Sequence, residues 1–446
     1  MIRLDDDNAR PFLNDDALRE LRPSTLDAHR AVLDKTGAGS DLLGWRDLLL
    51  EPNDALLEDI ETTAAQLRRN ADVLLCLGIG GSYLGARAVL EALTPYFSDE
   101  ETRVAPPDDH PHSEDFQQHD LETEVLFAGH QMSGPYLRQL LDSLEGRSVY
   151  VNVISKSGTT LETALAFRFV RRWMEEHFEA ADDRIIVTTD PSEGALNELR
   201  AEKGYKKYAI PRDVGGRFSV LTPVGLFPIA AAGIDVRSLF YGARSEAERL
   251  DADADAHSPA LRYAALRHAL LKAGYDVEVL ASFAPRLGRF GAWWQQLFGE
   301  SEGKEGTGLY PSTVQYSTDL HSLGQYMQEG QRLVTETFLI ADEPPKDDLT
   351  VPEDAANLDG LNYLAGRSYH HINRRAYEGT AKAHTEGGVP NVTIRMDRIG
   401  PEALGEAIYF FEHAVAVSGY LLGVNPFDQP GVEAYKTAMF DLLGRP

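Results

Sequence analysis

Cysteine is almost missing from this chain: its 446 residues include one, Cys76, so no disulfide can form within it. The setting Val73-Leu74-Leu75-Cys76-Leu77 makes that cysteine a small core residue and not a nucleophile. Apolar runs long enough to span a membrane are also lacking. The longest candidates, Val73 to Ile79 and Pro223 to Ile234, are interrupted by glycine or proline. The start, Met1-Ile2-Arg3-Leu4-Asp5-Asp6-Asp7, is acidic where a secretion signal is basic and then apolar, so the expected location is cytoplasmic. Positive charge is scarce as well. There are 43 Lys and Arg against 70 Asp and Glu, a net charge of −27, which excludes nucleic acid and anionic membranes as natural partners. Only 10 of those cations are lysine and 33 are arginine. An acid-rich, lysine-poor composition suits concentrated salt, where screening shortens the range of self-repulsion. An anionic substrate approaching such a surface needs local positive charge, so each pocket-facing Lys or Arg matters.

What the chain does have is core-forming material, 43% hydrophobic with 9% aromatic, at a length that accommodates two or three domains. The first sixty-odd residues read as polar helices over Asp15 to Leu21, Ser24 to Leu33 and Asp54 to Arg69. Strand and helix then alternate. Val73 to Leu77 leads into Gly78-Ile79-Gly80-Gly81-Ser82 and a helix to about Leu93. Glu124 to Ala128 precedes a helix over Pro135 to Leu144, Val149 to Ile154 precedes one with Leu161, Ala164, Leu165 and Val170 at helical spacing, and Arg184 to Thr188 precedes Glu193 to Glu202. Asp251 to Pro259 breaks the pattern as a charged connector. A second series follows: strands Asp276 to Ser282, Leu333 to Ile340 and Val392 to Met396, with helices Leu287 to Phe298, Asn357 to His384 and Glu402 to Leu421. Such alternation predicts an α/β fold of two doubly wound parallel-sheet domains, with ligands outside the carboxyl ends of the strands. Asp99 to Glu124 reads as a surface excursion. Its Asp108, Asp109, His110 and His112 fit a solvated loop better than a metal site.

Ile154-Ser155-Lys156-Ser157-Gly158-Thr159-Thr160-Leu161-Glu162 ends an apolar strand with hydroxyls, glycine and lysine where a helix begins. Unpaired N–H groups at a helix start attract an anion, and Ser155, Ser157 and Thr160 add donors. Thr159-x-x-Glu162 also fits a plain capping box, and the two readings are compatible. Gly215-Gly216-Arg217-Phe218-Ser219 lets backbone and one guanidinium approach a ligand, or is a glycine turn with a surface arginine. Two nucleotide fingerprints fail. Tyr83 stands at the third glycine position after Gly78 and Gly80, and Gly299 to Lys304 has the wrong spacing for a P-loop and Glu305 where Ser or Thr is required. Gln296 and Glu300 are four apart and share a face if their helix continues that far. A carboxylate beside a bulky apolar face can act as a base near neutrality, although most glutamates are solvated. His321 follows Asp319 within a stretch dense in Gly, Ser, Thr and Tyr; the other histidines, including His370, His371 and His384, read as structural. Asn425 to Lys436 opens the last helix with Pro430 in its first turn.

In this order the motifs Gly78 to Ser82, Ser155 to Thr160, Gly215 to Ser219, Gly299-Glu300-Ser301, Asp319 to Ser322 and Gln429 to Lys436 resemble the glucose-6-phosphate isomerase family in its shorter bacterial-type form. The resemblance runs from about Asp72 to the end. It implies sugar-isomerase (SIS) type domains in α/β/α layers: a helical extension at 1–70, a first domain at 71–215 with the phosphate loop, a connecting segment at 216–262, and a second domain at 263–446. It further implies an aldose-ketose isomerase of glycolysis and gluconeogenesis, without cofactor or metal, working as a homodimer or larger homo-oligomer on sugar phosphates. By resemblance, Glu300 is the base that moves a proton between C2 and C1, His321 assists ring opening, Lys436 lies near the ring oxygen and Arg217 stabilises the enediolate. Ser155, Lys156, Ser157 and Thr160 hold the phosphate, and Gly81, Ser82, Gln296 and Gln429 line the sugar. The family's histidine arrives from the partner subunit. Two rivals remain: the same chemistry on a wider range of substrates, including mannose 6-phosphate, and a non-catalytic sugar-phosphate-binding regulator, which has no use for Glu300, His321 and Lys436 together.

Overall fold

Strands form in both halves of the chain, most of them on apolar and β-branched runs. In order they are β1 (Arg3–Asp5), β2 (Val73–Leu77), β3 (Glu124–Ala128), β4 (Val149–Ile154), β5 (Ile185–Thr189), β6 (Lys206–Ala209), β7 (Val277–Ser282), β8 (Tyr310–Gln315), β9 (Val334–Ala341) and β10 (Asn391–Met396). The structure, a computed structural model, describes residues 1–14, 16–97, 123–253, 255 and 257–444. It forms two units, one of Asp41–Ala247 and one of Met1–Ser40 with Glu248–Pro446.

In the Asp41–Ala247 unit the sheet order is β3-β2-β4-β5-β6, all parallel. β2 stands between β3 and β4, so the chain leaves β2 on one side and returns on the other. The carboxyl ends of β2 and β4 are therefore the switch point of the sheet, where folds of this class place their ligands. One face of the sheet packs Val73, Val151 and Val187 against Phe167, Val170 and Met174 of the helix Leu161–His177. On the other, the helix Pro223–Ala231 lies on β2 and carries the helices Asp54–Arg68 and Leu84–Leu93.

In the second unit the order is β1-β10-β9-β7-β8, parallel except for β1, which runs antiparallel to β10 with Leu4 opposite Ile394. Phe283, Phe338 and Ile340 pack with Tyr377 and Ala381 of the helix Tyr369–Glu386. The helices Ala17–Leu33, Pro259–Lys272, Gly288–Glu302 and Pro401–Leu422 pack on one another. The doubly wound α/β class is as expected.

Several boundaries differ. Residues 1–70 are not one extension, because β1 joins β10 and the helix Ala17–Leu33 packs on Pro259–Lys272, whereas Asp54–Arg68 belongs to the other unit. The two helices predicted over Asp15 to Leu21 and Ser24 to Leu33 are one, Ala17–Leu33, which continues through Pro23. The span 216–262 is not a connector; it contains the helices Pro223–Ala231 and Val236–Asp253 and the start of Pro259–Lys272. The predicted helix Asn357 to His384 begins only at Tyr369, where Ser368 Oγ caps the His371 amide at 3.1 Å. Of the predicted excursion, only Thr123 and Glu124 lie within the described residues, and Glu124 opens β3. Asp108, Asp109, His110 and His112 lie outside them.

Candidate active site

The loop after β4 organises its own hydroxyls. Ser155 Oγ accepts from the Gly158 amide at 3.0 Å, and Ser157 Oγ accepts from the Thr159 amide at 3.1 Å and from Thr159 Oγ1 at 3.0 Å. Ser155 is buried with its Oγ 3.4 Å from Thr160 Oγ1, while Lys156 and Ser157 are exposed. The helix starts at Leu161 with Thr160 as N-cap and no side chain capping it, so the Thr159–Glu162 capping box does not form. A loop that spends its side chains on itself presents the first-turn amides outward. Gly158 has φ +74°, and a Cβ there would sit 2.3 Å from the Leu196 amide nitrogen, so only glycine lets the loop lie against the next helix.

Lys156 is placed differently from a simple phosphate ligand. Its Nζ donates to the Arg212 carbonyl at 2.8 Å and lies 3.5 Å from the Val214 carbonyl. It thereby joins the Ser155–Thr160 loop to the segment that leads into Gly215-Gly216-Arg217. Although the residue as a whole is exposed, partial desolvation of its ammonium lowers its pKa against the opposing pull of Asp190 and Asp213. Behind the loop, Arg212 grips Asp190 through two bonds of 3.0 and 2.9 Å, and the Ser192 and Glu193 amides also donate to that carboxylate. Arg212 first, then these amides, hold Asp190 well below the usual carboxylate range. The sequence reading missed this brace. Its signal was Asp190-Pro191-Ser192 directly after a strand, where an aspartate commonly bonds the backbone two residues on.

The two glycine loops meet. A Cβ on Gly81 would lie 1.9 Å from the Gly216 carbonyl oxygen, so the turn Gly80–Ser82 after β2 rests on the backbone of the turn Gly216–Phe218. Arg217 is 2% exposed, its guanidinium carbon 5.5 Å from the Phe218 ring centre, which removes the reading of a surface arginine. One unit thus collects Gly81, Ser82, Ser155, Lys156, Ser157, Thr160 and Arg217 on loops at the carboxyl edge of its sheet.

The other unit carries Gln296, Glu300, His321, Gln429 and Lys436. The helix Gly288–Glu302 does persist past Glu300. Phe290, Trp293, Trp294, Leu297 and Phe298 are buried, and Gln296 Nε2 donates to Glu300 Oε1 at 2.9 Å. Gln296 Oε1 is buried with no hydrogen-bond partner among the described residues, an acceptor left for a hydroxyl. Just beyond Glu300, Glu302 is gripped on both oxygens by Arg267, whose Nε donates to Glu278 at 2.6 Å, while Tyr263 and Thr337 donate to Glu278 at 2.6 Å each. All five side chains are buried.

His321 ends a short 3-10 turn after β8, exposed and with no side-chain hydrogen bond among the described residues. Asp319 does not pair with it, accepting instead from the Gln315 amide at 2.7 Å and Ser322 Oγ at 3.1 Å. The helix Gly288–Glu302 runs antiparallel to β8, since Gly288 lies beside Gln315, Gly291 beside Thr313 and Gly299 beside Pro311. Glu300 and His321 therefore lie towards opposite ends of β8, separated by roughly 13 Å of strand between Pro311 and Gln315. Lys436 is half-buried on the helix Pro430–Leu442, with Nζ 2.8 Å from Glu433 Oε1, and Gln429 is that helix's N-cap residue. His384 is structural as expected, bonded through Nδ1 to the buried Glu336 at 2.7 Å. Among the described residues no group of three or more His, Cys, Asp or Glu could hold a metal ion, and no helix is long and apolar enough to cross a membrane.

Comparison with known proteins adds an independent line. The family model described as phosphoglucose isomerase matches residues 61–442. Glucose-6-phosphate isomerases of Alkaliphilus metalliredigens and Staphylococcus epidermidis are each 46% identical, over 450 and 447 residues, covering 100% of this chain and 96% of theirs. A hypothetical protein from Thermus thermophilus superposes with a TM-score of 0.86 at 30% identity, over 99% of this chain and 100% of its own. A glucose-6-phosphate isomerase from Chlamydia trachomatis shares the fold at a TM-score of 0.78 and 18% identity, over 99% of this chain and 88% of its own.

Proposed function

The chain belongs to the phosphoglucose isomerase family, and from that premise we propose that it interconverts glucose 6-phosphate and fructose 6-phosphate through a cis-enediolate. The observation that carries the reading is the placement of a buried Arg217 on a turn packed against Gly81 and joined through Lys156 to the Ser155–Thr160 loop. An anion site and a fixed cation on one rigid support are what this reaction needs. Phosphate, remote from the reacting carbons, supplies binding energy for orientation, and a guanidinium stabilises charge as the enediolate forms.

A proton α to a carbonyl is weakly acidic, so a positioned carboxylate has to move it. Glu300 takes that role, shuttling the proton between C2 and C1, with Gln296 fixing one carboxylate oxygen and offering its own Oε1 to a sugar hydroxyl. Lys436 serves the ring oxygen and Gln429 and Ser82 the sugar. His321 assists ring opening. Its place towards the far end of β8 from Glu300 supports its delivery to the partner subunit's sugar, so the working enzyme is a homodimer or larger. The expected location is cytoplasmic.

Solvent deuterium exchange at C2 of the substrate tests the assignment. Glu300→Gln should lose exchange and turnover together by about 100-fold or more, the usual worth of a general base. A variant that exchanges and turns over like wild type overturns it.

A further inference from the structure

The segment Gly299 to Lys304 is not a nucleotide loop, and its lysine has no part in the proton transfer described above. Lys304 follows the last turn of the helix that carries Glu300, where the Gly303 amide donates to the Gly299 carbonyl at 3.2 Å and the Lys304 amide to the Glu302 carbonyl at 2.7 Å. The side chain does not go to solvent. It is 9% exposed, its Nζ donates to the main-chain carbonyl of Asn425, and it forms an ion pair with Asp428 at 2.9 Å. The turn it reaches is itself ordered: Asn425 Oδ1 accepts the Phe427 amide at 2.9 Å, and Phe427 is 4% exposed. Gln429 comes next in the chain and opens the helix that bears Lys436.

We propose that Lys304 is a positioning residue, a clamp whose ammonium ties the turn after Glu300 to the Asn425–Asp428 turn and so sets the proton-transferring carboxylate relative to Gln429 and Lys436, the groups that handle the sugar ring. The proposal rests on the isomerase reading above. A largely buried ammonium that bonds both a carbonyl and a carboxylate fixes its neighbours far better than an exposed ion pair does. Small misplacements of a reacting group cost much of the rate while leaving binding through the remote phosphate untouched. Arg267 holds the same helix end from the core side through Glu302, so the helix survives without Lys304 and only the registration of the two turns is lost.

The test compares Lys304→Met, Lys304→Arg, Asp428→Asn and the Lys304→Met/Asp428→Asn double variant with wild type and Glu300→Gln, with folded fraction measured by near-ultraviolet circular dichroism. Lys304→Met should lower kcat by about 10- to 100-fold, with KM and the inhibition constant of inorganic phosphate unchanged. Lys304→Arg should recover part of kcat, Asp428→Asn should show a smaller loss, and the double variant should be no worse than Lys304→Met. Wild-type kcat in Lys304→Met, additive losses in the double variant, or a loss matched by the unfolded fraction overturns the clamp. If Lys304→Met does not fold, Asp428→Asn decides, and wild-type kcat in that folded variant overturns it. Absence of isomerase activity in wild type, or full activity in Glu300→Gln, overturns the underlying reading instead.

Discussion

Glu412 is completely buried on the helix Pro401–Leu422, and neither carboxyl oxygen has a hydrogen-bond partner among the described residues. Burial without a partner raises its pKa well above the ordinary value, so the folded protein holds it as a neutral acid. In the unfolded chain the same group ionises near its usual value, about 4.3. The unfolded state then binds fewer protons, and this residue makes stability fall as pH rises from there until the folded pKa is passed. Glu412→Gln removes that dependence. Its stability relative to wild type should grow between pH 5 and pH 7 by up to about 1.4 kcal/mol per pH unit, read from denaturant midpoints; a constant difference would contradict the neutral assignment. Gly81 makes the opposite kind of demand, for space. Gly81→Ala has to push the Gly216 carbonyl aside, and is expected to lower the melting temperature and kcat together, because the displaced turn carries Arg217.

At the scale of elements, the sequence was most legible where strands are buried on both faces. β2 and β4 fall on the predicted residues because buried apolar runs have little else to become, while the edge strand β3, with only Ala128 buried, is still marked by Val125-Leu126-Phe127. β8 escaped because it is an edge strand, with Pro311, Ser312 and Thr313 in place of an apolar run, a composition tolerated only at an edge. The helix Pro259–Lys272 escaped for a different reason. It is buried nearly all round, so no polar face marks its period, and its buried Arg267 is consumed by Glu278 and Glu302. The helix Val236–Asp253 should have been found, since Val236, Leu239, Phe240, Ala243, Ala247 and Leu250 are buried at helical spacing. In the candidate site, residue types and local spacing were legible and long-range partners were not. Gln296 and Glu300 could be paired from a separation of four, whereas the attachment of Lys156 to carbonyls 56 and 58 positions onward, or of Lys304 to a turn beyond residue 420, has no local signal.

For the whole molecule, the placement of Glu300 and His321 towards opposite ends of β8 yields a prediction about assembly. Mixing Glu300→Gln and His321→Ala subunits, each inactive alone, should form hybrids in which one site has an intact glutamate and its partner's intact histidine. Activity should return to as much as half the wild-type value per dimer, measured after denaturing and refolding the two variants together. No recovery in verified hybrids would place both groups in one subunit's site. The scarcity of lysine also has a practical side. Of 10 lysines, Lys156 and Lys304 hold loops together through main-chain carbonyls and Lys436 sits on the helix that Gln429 opens. Amine-capping reagents reach the exposed Lys156 and the half-buried Lys436 before the enclosed Lys304, and immobilising the enzyme through its amines should lower activity more than attachment through its abundant surface carboxylates does.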